Sequence, residues 1–327
     1  MNRTDYIYED NLTRSVRDNT RRTLLGYAVF TLVWIAADLL LTLLAVLFAP
    51  GLLDTDWFIW VINEVPLYCV AFPVLWFGFI RRTPPARIDR SRVPVLQYLG
   101  LILPNFTVMI AGSIIGRFVS QLFALFPFFS AVDLLQSIMD AGASTLYTVL
   151  AFVCTVVIAP IMEELIFRKI LIDRTVALGQ GTAVLLSGLL FGLFHGNFYQ
   201  FFYTFFFGMI LAFLYVRTGR IVYTMIMHAI VNFVMGFLPT LMEPLYESLE
   251  AETVSLSASM AVTGYVIIEY GLAILGIPLL IVAIRDMKRQ IRPSPFSVSE
   301  RRPILWRAPG LWMIIGASVL VFVLNLL

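Results

Sequence analysis

Long apolar runs alternate with short charged gaps along nearly the whole chain, and that alternation predicts a series of membrane-crossing helices. A crossing needs about 20 apolar residues, each rising 1.5 Å, to traverse roughly 30 Å of hydrocarbon. The runs fall at 24–48, 57–80, 95–123, 145–172, 183–197, 201–216, 221–238, 258–283 and 311–327. The fifth and sixth are short. Pro104, Asn105 and Arg117 are candidate breaks in the third run, and the last could lie along the surface. The pattern predicts an all-α, polytopic transmembrane helical bundle of about eight or nine spans.

Composition excludes the main alternative. Hydrophobic residues make up 60% of the 327 positions and charged residues 13%, with a mean hydropathy of +0.87. One soluble core could not hide so many apolar helices. The first 23 residues are polar and mixed in charge, and the run from Leu24 is too long for a signal-peptide core, so no cleavable signal is expected. Cys69 and Cys154 both lie in apolar runs and read as small buried hydrophobes.

Arginines collect in alternate gaps: Arg14 to Arg22, Arg81 to Arg92, Arg174, Arg217 and Arg220, and Arg285 to Arg307. The intervening gaps carry Asp54 and Asp56, Asp133 and Asp140, and Glu243, Glu247, Glu250 and Glu252. By the positive-inside bias this predicts nine crossings, with the N-terminus cytoplasmic and the C-terminus outside. The basic 285–307 linker suits anionic headgroups, and the net charge of +2 gives no reason to expect a nucleic-acid partner. The excess of arginine over the two lysines hints at a GC-rich genome, hence a prokaryotic plasma membrane.

Polar groups inside a bilayer must be paired, wetted or functional. Between 159 and 238 the sequence places Glu163, Glu164, Arg168, Asn232 and both histidines of the protein, His195 and His228. Glu163 and Glu164 stand about 100° apart on a helix, so they take different jobs. Glu164 and Arg168, at i and i+4, suit an ion pair that leaves Glu163 to face a cavity. Phe191 and His195 are one turn apart, with Gly188 and Gly192 allowing a second helix close, and His228 and Asn232 are again i and i+4. Counted from the basic ends, Glu163, His195, His228 and Asn232 lie roughly 17, 20, 12 and 18 Å deep, in one layer.

One carboxylate, two imidazoles and an amide suit addition of water to an amide bond. Glu163 could act as general base, His195 could orient the water, and His228 and Asn232 could donate to the developing oxyanion. The same groups could hold a catalytic zinc, although the string HExxH is absent, and the metal-free version is the one favoured. Structural readings stand beside these: Glu164–Arg168 as a helix-stabilising pair, Asn232 as interhelical glue, Phe191 as packing. Asp38, Glu64 and Asn105 are further intramembrane polar residues that no spacing ties to the site.

Glu163, Glu164 and Arg168 fit EExxxR, Phe191 and His195 fit FxxxH, and His228 and Asn232 fit HxxxN, in order on successive apolar runs. This resembles the CPBP family of intramembrane proteases, also called the CAAX-protease and bacteriocin-processing, or Abi, family. The resemblance covers 148–238 as a catalytic core of four central helices, flanked by N-terminal helices at 1–147 and C-terminal helices with the basic linker at 239–327. It implies an intramembrane endopeptidase with Glu163 as catalytic glutamate, His195 activating water, His228 and Asn232 stabilising the oxyanion, and Glu164, Arg168 and Phe191 supporting. The partners implied are membrane lipid and a membrane-embedded or lipidated protein or peptide substrate; no cofactor is expected, zinc remains open, and the oligomeric state is not legible. A transporter would predict internal repeats, which the sequence lacks, and a scaffold or immunity protein would tolerate replacement of Glu163.

Overall fold

In the computed structural model the protein is described at residues 3–126, 144–242, 245 and 255–326. Ten helices account for it: α1 Arg3–Phe48, α2 Phe58–Arg82, α3 Val95–Phe123, α4 Thr145–Leu178, α5 Gln180–Phe194, α6 Phe198–Thr218, α7 Ile221–Met242, α8 Leu256–Gln290, α9 Val298–Trp306 and α10 Pro309–Leu324. No strand occurs among the described residues. The acidic residues Asp133, Asp140, Glu243, Glu247, Glu250 and Glu252 lie outside the described residues.

Among the described residues seven helices are long and apolar enough to cross a membrane, and α9 with α10, bent by 57°, makes an eighth if counted as one span. That is within the range read from the sequence but below the nine crossings of the charge pattern. The helix that falls short is α5. Its 15 residues rise about 22 Å, less than the hydrocarbon thickness, because the chain turns at Gly196, whose φ of +69° is left-handed. The third run is not broken: α3 is continuous for 29 residues with Pro104 inside it, and Asn105 Nδ2 donates to Leu101 O at 2.7 Å. Arg117, at the far end of α3, lies over the Tyr199 ring and donates to its hydroxyl at 3.1 Å.

The outer helices turn apolar side chains outward, as Leu47 at 62% and Phe48 at 79% exposure show, which suits lipid rather than water. Cys69 is among the exposed residues, so only Cys154 is the buried hydrophobe expected. The most buried span is α6, which packs against α3 and α5, while α8 covers α3 and α1 packs on α2 and α10. Apolar attraction between helices is weak in lipid, so close backbone approach matters more. A Cβ on Gly112 would sit 2.5 Å from the Tyr203 backbone, whereas one on Gly264 would meet nothing within 4 Å. Gly112→Ala is therefore expected to destabilise the α3–α6 contact by about 1–3 kcal/mol, and Gly264→Ala to be neutral, as read by thermal unfolding in bilayer discs.

Helix α4 is irregular where the site residues lie. A π-helix at Val153–Ile158 precedes Pro160, and a second at Glu164–Ile170 follows it. Such widened turns recur at functional sites, and in hydrocarbon their displaced backbone groups need partners. Ala159 N–H donates five residues back to Cys154 O, and the next donor in that pattern would be Pro160, which has no N–H. The carbonyl left over is that of Thr155, and Asn232 Nδ2 of α7 donates to it at 2.9 Å. In the second widened segment Ser187 Oγ of α5 donates to Phe167 O, and the Tyr27 hydroxyl of α1 donates to Ile166 O, which also accepts Leu171 N–H. Side chains from three neighbours thus hold α4 in this shape.

At the opposite end of α4, Ser144 caps the first turn and its backbone N–H donates to Asp56 in the α1–α2 loop. Hydrogen bonds from the Ser144 side chain and backbone hold the Asp56 carboxyl below its usual range. What this tie contributes is present above the ordinary carboxylate pKa and fades as pH falls below it.

Candidate active site

The α→π junction of α4 sets Glu163 and Glu164 on different sides. Glu164 is fully buried, its Oε2 lying 3.2 Å from Arg168 Nε and its Oε1 2.8 Å from His228 Nδ1. Glu163 points to a cavity of about 90 Å³ that His195 also lines, with Trp34 of α1 and Tyr68 of α2 among the walls. That volume suits a few waters. His228 stands behind Glu163, with Nε2 3.6 Å from Glu163 Oε2.

Each histidine is oriented by a partner on Nδ1. His195 follows the last residue of α5, and its Nδ1 lies 2.7 Å from Phe191 O. A carbonyl only accepts, so Nδ1 carries the proton and Nε2 of the neutral ring is left with its lone pair. The turn is fixed by Gly196 and by Asn197, which caps α6 and donates to His195 O at 2.8 Å. His228 donates Nδ1–H to the Glu164 carboxylate and turns Nε2 toward Glu163. Its ring is clamped edge-on between Phe191 and Phe207, at centroid distances of 5.8 and 5.1 Å.

Phe191 does more than pack beneath His195. Its face receives the Arg168 guanidinium at 4.3 Å, and it contacts both imidazoles edge-on. Gly188 and Gly192 let α6 approach: a Cβ on Gly188 would lie 2.8 Å from Phe205 O, and one on Gly192 3.0 Å from Phe201 O. Arg168, also fully buried, makes a long hydrogen bond to Gly208 O at 3.5 Å.

The structure therefore places Glu163, Phe191 and His195 on one small cavity, with Glu164, Arg168 and His228 linked to them by contact behind its wall. Asn232 lies one turn beyond His228, but its observed bond goes to Thr155 O, and neither Asn232 nor His228 lines the cavity. Tyr68 and Glu64 were not tied to the site by any spacing, because they come from α2, far away in sequence. Tyr68 lines the cavity; Glu64, one turn before it, acts electrostatically on Glu163, and its Oε2 is buried with no hydrogen-bond partner. The only sequence signal was a carboxylate inside an apolar run.

Among the described residues no group of three or more His, Cys, Asp or Glu side chains is placed to hold a metal ion.

Among the described residues, seven or eight apolar spans around a buried carboxylate–imidazole cluster define an integral membrane protein. Residues 145–234 match the family model described as Rce1-like, a type II CAAX prenyl endopeptidase. That stretch is similar to a CAAX-protease domain, consistent with the CPBP family, whose members are peptidases. No curated protein and no solved structure matches the chain significantly.

Proposed function

We propose that this chain is an intramembrane endopeptidase that hydrolyses a peptide bond of a membrane-associated protein or peptide, with water activated by Glu163. The observation that carries the reading is the shared cavity: Glu163 and His195 line the same water-sized space, with His228 against Glu163. Glu163 takes a proton from the water as its oxygen attacks the carbonyl carbon. The lone pair on His195 Nε2 accepts the water's second hydrogen and fixes its direction. When protonated on both ring nitrogens, His228 presents Nε2–H to the oxygen that becomes negative, and the second amide N–H of Asn232 is its candidate co-donor. Collapse of the tetrahedral intermediate breaks the C–N bond, and the proton held by Glu163 passes to the leaving amine. Lipid is the expected surroundings, with the N-terminus on the cytoplasmic face of a prokaryotic plasma membrane.

The test is cleavage by the purified protein in bilayers of a library of membrane-inserted peptides, prenylated and unmodified. Products from a defined internal bond are expected. His195→Ala should slow the reaction by about 10²-fold or more without moving the melting temperature. Equal rates in variant and wild type would remove His195 from the mechanism, and a folded wild type that cleaves no member of the library would favour the scaffold reading.

A further inference from the structure

Independently of the catalytic reading, three span ends meet at one level of the membrane. Arg21 and Arg22 precede the apolar run of α1, Arg307 precedes α10, and Gly78 and Phe79 close α2 just before Arg81 and Arg82. The packing fixes that level: a Cβ on Gly26 would fall 2.8 Å from Phe79 Cβ, and Gly310 lies against the Leu24 backbone. Between these ends is an open cavity of about 570 Å³ lined by Arg21, Arg22, Arg307, Leu25, Phe79 and Pro309, together with Gly78.

Three arginines thus line one volume with no acidic residue in its lining. The carboxylate nearest in the α1 sequence, Asp18, lies 3.9 Å from Arg17. Arg21 Nε is buried and has no hydrogen-bond partner among the described residues. A charged donor left unpaired beside an open, arginine-lined space calls for an anion, and guanidinium forks match phosphate oxygens in particular. Leu25, Phe79 and Pro309 supply an apolar wall, and the ends of three apolar spans place the cavity where headgroups meet hydrocarbon. The volume falls within the range of ordinary ligand pockets.

We propose that this cavity is a binding site for the headgroup phosphate of an anionic membrane phospholipid, with Arg21, Arg22 and Arg307 as its ligands and the glycerol end against Leu25 and Phe79. The site lies at the joint of α1, α2 and α10, so a bound lipid would bridge elements that are far apart in sequence.

The test is lipid retention by the full-length protein during detergent washing, read by native mass spectrometry for phosphatidylglycerol and phosphatidylcholine. Preference for phosphatidylglycerol by about tenfold or more is expected for wild type. It should vanish in the triple variant Arg21→Gln, Arg22→Gln, Arg307→Gln and survive in Arg87→Gln, Arg90→Gln, Arg92→Gln, which removes the same charge from an exposed loop. Should the triple variant not fold, Arg307→Gln alone, at an exposed position, should cut the preference by about threefold. Equal preference in the two triple variants, or equal retention of both lipids by wild type, would overturn the proposal. Displacement of the lipid by soluble glycerol phosphate would show a free-phosphate site instead, and displacement by a peptide with a free C-terminal carboxylate but not by its amide would show a substrate subsite.

Discussion

Arg168→Met should lower stability by about 3–5 kcal/mol, because it leaves Glu164 as a buried carboxylate without its cation. Both side chains are fully buried, and Arg168 also lies over the Phe191 ring, so no water is at hand to take over. The double variant Glu164→Gln, Arg168→Met removes both charges and should recover much of the loss. Thermal unfolding in bilayer discs reads both. Recovery would locate the cost in the orphaned charge, whereas equal losses in single and double variants would place it in packing against Phe191. A surface pair would not behave this way, since exposed ion pairs contribute only about 0–1 kcal/mol.

Glu163→Gln should reduce peptide cleavage by about 10²- to 10⁴-fold, the range associated with loss of a general base. The amide keeps nearly the shape of the carboxylate but cannot take the proton of water. Unlike the fully buried Glu164–Arg168 pair, Glu163 is 19% exposed and stands 3.6 Å from His228 Nε2. The variant should therefore fold and melt like wild type. A rate retained within a few-fold, measured on a substrate cleaved by wild type, would remove Glu163 as the base.

The periodicity of apolar runs made the fold class legible, because backbone groups in hydrocarbon have helices as their simplest solution. One of the predicted runs forms a helix shorter than a span. Apolar letters continue through Phe194 and resume at Phe198, so the run looks like a span, but Gly196 ends α5 early and Asn197 starts a new helix. The i, i+4 spacing of Glu164 and Arg168 was readable because it is local. Spacing placed Asn232 beside His228 but could not reveal its partner, since Thr155 O is left over only when the π-turn before Pro160 is seen. Tyr68 and Glu64 were silent for another reason. Their approach to Glu163 depends on how α2 packs against α1 and α4, which no single run encodes.

The most direct test of Glu163 as the group that activates water is the cleavage rate of the purified protein in bilayers before and after exhaustive chelation, with bound metal quantified in each sample. Activated by its own carboxylate, the protein should cleave its substrate at an unchanged rate when stripped of metal, and Glu163→Gln should stay inactive whatever metal is added. Activity that disappears with the metal and returns with stoichiometric zinc would contradict the account.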